Sequence, residues 1–362
     1  MVAHNSVTYI NRTTPLTITS EEIDLDRCYK DSEIVVEVHA AALNPIDILL
    51  HALSYPSISG RKKKVLGKDY SGVVVKAGKS VKGFKVGDLV NGMYEDFLYR
   101  ARGSVSNYLI LDPSKQLSIA HFKKLEGQTD DDAFIQNAGW PLIFGTAHTL
   151  LTEKKQNLGP DSKVLVLGAS TSVGNALLKI AKNELKIGTV VGTCSEGSIQ
   201  YNKETVGFDH LVPYNDTSKS AAQHIRDYVK NELHGEKFDL IADCCGSNEF
   251  FPFINEIMKS KTKNGHYLTI VGDNKFNYRK IELLKAINIC GLIRRFNPFK
   301  NYNYSFTMVP SASDYMELGA KMIQKGTYKP QIDSVYDFEQ YQDAVERLLS
   351  NRAKGKIVIK VK

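Results

Sequence analysis

The chain has 362 residues, 42% hydrophobic and 24% charged, and its 47 Lys and Arg against 40 Asp and Glu leave a net charge of +7. That length is enough for two buried cores, and basic residues spread along the chain, apart from Arg61-Lys62-Lys63-Lys64 and the neighbourhood of Arg294 and Arg295, carry no nucleic-acid signature. No run reaches the roughly 18 apolar residues of a membrane span, and MVAHNSVTYINRT lacks the apolar centre of a signal peptide, so a cytoplasmic location is expected, with Cys28, Cys194, Cys244, Cys245 and Cys290 as reduced thiols.

In chain order, the first 130 or so residues hold short β-branched runs ending in turn residues: SEIVVEVHAAAL (32 to 43), YSGVVVKAG (70 to 78) and VGDLVNGM (86 to 93). They predict an all-β unit. After an acidic stretch, GQTDDD (127 to 132), the pattern becomes strands alternating with helices. KVLVL (163 to 167), TVVGT (189 to 193), HLVPY (210 to 214), FDLIADC (238 to 244) and HYLTIVG (266 to 272) are short apolar runs of the kind buried on both faces of a parallel sheet. A helical YQDAVERLLSNRAK and a strand, GKIVIKVK, close the chain.

The stretch KVLVLGASTSVGNALLKIAK (163 to 182) predicts a strand, a tight turn and a helix, because Val173, Ala176, Leu177, Ile180 and Ala181 recur at helical spacing. A dinucleotide needs glycines there: one for the sharp turn, one where backbone approaches pyrophosphate, and one where the helix packs on the strand. Gly168 and Gly174 fill the first and last roles, while Thr171 and Ser172 stand where glycine is expected; Ser170, Thr171 and Ser172 are good N-cap residues. Read alone, the stretch fits a plain capped turn as well as a phosphate cradle. At the end of the next strand, Ser195 and Lys203 suit the 2′-phosphate of NADP, and Glu196 opposes it.

ALNPIDILL (42 to 50), LGKDYSGVVVKAGKSVKGFKVGDLV (66 to 90), VLVLGASTSVG (164 to 174), DCCG (243 to 246) and NRAKGKIVIKV together resemble the medium-chain dehydrogenase/reductase superfamily, and within it the zinc-free, zeta-crystallin-like quinone oxidoreductase branch. The resemblance covers nearly the whole chain with motifs in the family's order. It implies an α/β fold: a GroES-like β-rich domain (1–134 and 300–362) with a Rossmann doubly wound parallel-sheet domain (135–299) inserted. It also implies an NADPH-dependent reductase of quinones, enones or reactive carbonyls that works as a homodimer. In SVTYIN, EVHAAALNPID, DYSGV and GTYKPQIDSVY the likeness extends to fungal members described as associated with lipid droplets, which implies contact with such a surface.

Carried over residue by residue, the resemblance puts Asn44 near the nicotinamide and Tyr55 in the substrate cleft as the catalytic candidates. For the cofactor it implies Gly168, Ser170, Thr171, Ser172, Val173, Gly174, Ser195, Lys203, Tyr214, Gly246, Gly272 and Lys356. A catalytic zinc needs about three converging Cys, His or carboxylate ligands; where zinc-dependent relatives carry their first Cys and a Gly-His-Glu, this chain has Asn44-Pro45-Ile46-Asp47 and Gly67-Lys68-Asp69, so no zinc is expected. His39, His51 and His148 read as packed or surface residues. Two departures, the missing turn glycines and Leu49 in place of a family tyrosine, keep a second reading open: a protein with an impaired cofactor site, acting as a scaffold at an organelle surface. AINICGLIRRFNPFKNYNYSFTMVP (286 to 310), an aromatic and basic mixture around Arg294, Phe296 and Phe299, is the candidate for subunit pairing or lipid contact.

Overall fold

The computed structural model describes residues 1–362 except 98, 274, 276 and 282–288, and the chain divides into two units, Met1–Leu142 with Ser311–Lys362, and Ile143–Pro310. The expected boundaries at 134 and 299 therefore shift. Helix Asp130–Ala138 belongs to the first unit, because Ala133, Phe134 and Ala138 pack with Ala40, Ala42, Phe122 and Val358 in one buried cluster. Strand Asn303–Phe306 belongs to the second, because it pairs in parallel with His266–Thr269.

In the first unit a sheet runs in the order Ile332–Asp337, Lys356–Lys360, Ile34–Leu43, Asp69–Ala77, Leu89–Met93, Ile119–His121, with Tyr108–Leu111 also pairing on Ile34–Leu43. A smaller sheet joins Val2–Tyr9 to Thr17–Ile23 and Lys64–Val65. The closing strand lies in parallel with Ile332–Asp337 and antiparallel to Ile34–Leu43, which is how the last residues complete a unit begun by the first. The unit is not all-β. Pro45–Ala52 is helical, with proline at its first position. The acidic stretch is the start of helix Asp130–Ala138, where Thr129 caps the Asp132 N–H and three aspartates meet the positive end of the helix dipole.

The second unit is a parallel sheet in the order His210–Pro213, Thr189–Cys194, Lys163–Leu167, Leu240–Asp243, His266–Thr269, Asn303–Phe306. Numbered along the chain this is 3-2-1-4-5-6, the doubly wound order whose direction reverses between the first and fourth strands. Val164, Leu165, Val166 and Ile241 are fully buried, as strands covered on both faces require. Among the described residues no helix is long and apolar enough to cross a membrane.

Candidate functional site

In an open α/β sheet, ligands bind beyond the carboxyl ends of the strands at the switch point. Here those ends are Leu167 and Asp243, and the turns that follow them touch: a Cβ added to Gly168 would lie 3.4 Å from Cys245 Cβ. Gly168 has φ +96, which a side chain would strain, and its N–H donates to Thr193 Oγ1 at 3.1 Å. Gly174 allows the helix to sit against the strand, since a Cβ there would fall 2.4 Å from the Gly168 carbonyl.

The two non-glycine residues do not fill the turn. Thr171 has φ −73 and caps helix Ser172–Asn183, its hydroxyl donating to the Gly168 carbonyl at 2.8 Å and accepting from the Gly174 N–H at 2.9 Å. Its side chain folds into the turn, and Ser172 is simply the first helical residue. The N–H groups of Ser172 and Val173 find no acceptor among the described residues, so the helix start offers free donors and a positive dipole end. Ser170 Oγ accepts from Asn202 Nδ2 at 2.8 Å, and Asn202, wholly buried, also bonds the Ser198 carbonyl at 2.8 Å. Asn202 thus ties the glycine turn to the segment after the second strand, a role that no spacing signals in the sequence.

Along the same edge of the sheet, Ser195 Oγ shares a hydrogen bond with Ser198 at 2.9 Å, and Glu196 and Lys203 are exposed. Tyr214 is 56% exposed, held by its backbone N–H to the Cys194 carbonyl at 3.0 Å. Gly246 (φ +79) and Gly272 (φ +97) are turn glycines after the fourth and fifth strands, their N–H groups held at 2.8 Å by Asp243 Oδ1 and Thr269 Oγ1. Burial pushes the thiols of the nearby cysteines up, that of Cys194 to about 11 and those of Cys244 and Cys245 likewise upward, which favours the protonated thiol over the nucleophilic thiolate.

In the first unit, Asn44 and Lys356, 312 positions apart, meet: Lys356 Nζ donates to Asn44 Oδ1 at 2.5 Å and pairs with Asp69 Oδ2 at 3.1 Å. Asn44 Nδ2 closes the triangle on Asp69 Oδ2 at 3.0 Å, and the Leu142 N–H holds Asp69 Oδ1 at 3.0 Å. Asp47 accepts from the Asn44 N–H at 2.8 Å, fixing the helix start. All four residues are at most 3% exposed. Asn44 is therefore not a loosely placed turn residue but the hub of a buried polar network, whose Asp69 and Asp47 the sequence reading did not assign a role. The Tyr55 hydroxyl accepts from Arg12 Nη1 at 2.6 Å, and the Arg12 guanidinium lies 4.9 Å from the centre of the Tyr55 ring.

Metal ligation does not fit these residues. Among the described residues no group of three or more His, Cys, Asp or Glu converges, and the positions in question hold an amide, an ammonium (Lys68) and a carboxylate already engaged by Lys356. His39 stacks on Phe134 at 4.0 Å and His51 Nε2 bonds the Thr14 carbonyl at 3.0 Å, both with burial pushing the ring down from its ordinary range.

The segment 286 to 310 divides into an inner and an outer face, its first three residues lying outside those described. Arg294 turns inward, against expectation: its Nη2 pairs with Asp273 at 2.8 Å, and its guanidinium lies 3.3 Å from the centre of the Phe251 ring. Tyr302 and Tyr304 are buried as well, whereas Ile293 is 68%, Phe296 74% and Phe299 93% exposed.

A doubly wound dinucleotide-type unit joined to a β-rich unit completed by the chain's end defines the class, and the chain belongs to the medium-chain dehydrogenase/reductase superfamily. Residues 30–119 match the GroES-like domain of alcohol dehydrogenases, and residues 206–359 match the family described as zinc-binding dehydrogenase. The sequence is 49% identical over 365 residues to Protein YIM1 of Saccharomyces cerevisiae (strain RM11-1a), covering 100% of this chain and 99% of that one. Among solved structures, the quinone oxidoreductase of Coxiella burnetii matches with a TM-score of 0.73 at 19% identity over 100% of both chains. An alcohol dehydrogenase superfamily protein of Novosphingobium aromaticivorans matches with a TM-score of 0.75 at 20% identity, over 99% of this chain and 100% of that one.

Proposed function

We propose that the protein is a zinc-independent, NADPH-dependent reductase of quinones, enones or related reactive carbonyls. The observation that carries this reading is the cradle at Gly168–Gly174, where Thr171 folds inward and the backbone donors of Ser172 and Val173 stay open. Bound there, the nicotinamide cofactor would supply a hydride. The open N–H groups of Ser172 and Val173 and the Ser170 hydroxyl would hold the pyrophosphate, Gly168, Thr171 and Gly174 would shape the turn that presents them, Gly246 and Gly272 would give backbone clearance, and Ser195, Lys203 and Tyr214 would receive the adenosine end. In the other unit, Asn44 and Lys356 form a rigid polar floor and Tyr55 takes the substrate. The same reading places a homodimer on the terminal strand Asn303–Phe306, where Phe306 and, just beyond it, Met308 are 41% and 56% exposed, and keeps the protein in the cytoplasm.

Titration of the purified protein with NADPH and NADH, followed by nicotinamide fluorescence, tests this. NADPH is expected to bind about tenfold or more tightly than NADH, the worth of one charge-assisted hydrogen bond to the extra phosphate. Ser172→Gly is expected to change little, because only backbone is used at that position. No binding by the wild type, with recovery in Ser172→Gly, would overturn the reductase reading.

The second reading, a scaffold at a lipid-droplet or other organelle surface, is favoured by one observation: Ile293, Phe296 and Phe299 project from a segment that also carries Arg295 and Lys300. On this reading the protein floats with anionic liposomes and a Phe296→Ala/Phe299→Ala variant stays in the pellet fraction. If neither floats, the surface is not a lipid contact.

A further inference from the structure

Lys68 is 3% exposed. Its Nζ donates to the Tyr94 carbonyl at 3.0 Å, lies 3.5 Å from the Asp96 carbonyl and sits 3.6 Å from the centre of the Phe97 ring. An ammonium has three N–H groups, so at least one remains to be used. Arg100, 6% exposed, spends Nη1 on the Leu50 carbonyl and Nη2 on Ser54 Oγ at 2.8 Å, while its buried Nε–H has no acceptor among the described residues. Orphaned buried donors are costly, and more so when charged, so an arrangement that keeps one needs a reason.

Both cations line one cavity of the first unit, with Asp47, Asp96, Tyr9 and a third cation, Arg102, around them; Arg102 is already paired with Glu33 at 3.0 Å. The cavity leaves about 10 Å³ open to the centre of a water molecule, room for a single oxygen atom. Three cations, Lys68, Arg100 and Arg102, face two carboxylates, Asp47 and Asp96, so the lining favours an oxygen that carries negative charge, whether on a bound phenolate or on a carbonyl that gains charge as a reaction proceeds.

We propose that this cavity receives the carbonyl oxygen of the substrate, with the Lys68 ammonium and the Arg100 Nε–H as the donors that stabilise the negative charge gathering on that oxygen during reduction. The inference rests on the reductase reading above and narrows its substrates to those whose carbonyl oxygen can reach both donors. Interactions that strengthen as charge develops raise the rate rather than mere affinity. They also carry a pH signature. Burial pushes the Lys68 ammonium down to about 8, with Arg100 adding and Asp47, Asp96 and Asp69 opposing, and burial holds the Asp47 carboxyl up at about 6. Donation from Lys68 is complete while the amine is protonated and fades as pH rises through about 8.

The test uses the full-length protein and two readouts. 4-Nitrophenol, whose colour reports its ionisation, mimics the charged oxygen: the wild type is expected to bind it as the phenolate, and Lys68→Met to lose that shift. In steady state with NADPH and 1,4-benzoquinone, Lys68→Met is expected to lower kcat about 100-fold, the usual cost of one such donor, with NADPH affinity unchanged. Lys68→Arg should restore part of the rate and move its alkaline limb upward. Thermal melting checks folding, and Lys68→Gln repeats the comparison should the Met variant not fold. A Lys68→Met protein that still ionises the phenol, or a wild type that never does, overturns the proposal. If the phenolate behaves as expected while no quinone or enone is reduced by the wild type, the cavity stands and the reductase reading falls.

Discussion

Asp69→Asn is expected to cost the first unit about 3–5 kcal/mol, because it leaves the Lys356 ammonium buried without its counter-charge. Lys356 is 4% and Asp69 0% exposed at the side chain, so water cannot replace the lost partner. The loss spreads further than one ion pair, since Asp69 also anchors Asn44 Nδ2 and the Leu142 N–H. Lys356→Met strands the opposite charge and should cost a similar amount. The double variant Lys356→Met/Asp69→Leu is expected to recover most of the loss, because removing both charges removes the desolvation cost that the pair must offset. Urea denaturation of the wild type, Asp69→Leu, Lys356→Met and their double variant, read as a double-mutant cycle with Asp69→Asn measured alongside, tests this; a loss in Asp69→Asn of less than about 1 kcal/mol, the worth of an exposed pair, would mean that the network is not structural.

Gly174→Ala is expected to abolish NADPH binding at concentrations that saturate the wild type, and to lower stability by about 1–3 kcal/mol, as overpacking does. The added Cβ would sit 2.4 Å from the Gly168 carbonyl and 3.1 Å from Thr171 Oγ1, so the helix start must move off the strand and carry the Ser172 and Val173 donors with it. Neither neighbour is the free end of a flexible side chain: one is backbone and the other is the cap. Fluorescence titration and thermal melting read the two effects separately. Undiminished binding would show that the cofactor does not use this turn, and with it the observation that carries the reductase reading would be gone.

The contrast between Gly174 and Thr171 shows why the glycine motif was half legible. Gly174 is required by a distance of closest approach, which the fingerprint encodes. Thr171 stands where glycine is expected, yet it keeps a negative φ and turns its hydroxyl back to cap the helix. Which way a capping residue faces depends on three-dimensional geometry, so the letters alone fit a capped turn and a phosphate cradle equally. The segment 286 to 310 behaves similarly. Its aromatic and basic mixture made it the candidate for subunit pairing or lipid contact, but Arg294 is drawn inward by Asp273 and Phe251, leaving Ile293, Phe296 and Phe299 outside.

By itself the sequence determined three strands of the first unit, five of the parallel sheet, the closing strand and the glycine turn, and its motifs implied the return of that last strand to the first unit. These follow from local periodicity, from turn residues and from motifs in a recognisable order. Only the tertiary structure decided that Asn44, Asp69 and Lys356, separated by 25 and 287 positions along the chain, form one buried polar network, and that Lys68 and Arg100 share a cavity. Burial and charge pairing are properties of neighbours in space, and a chain read in one dimension does not say which distant side chains will exclude water from one another.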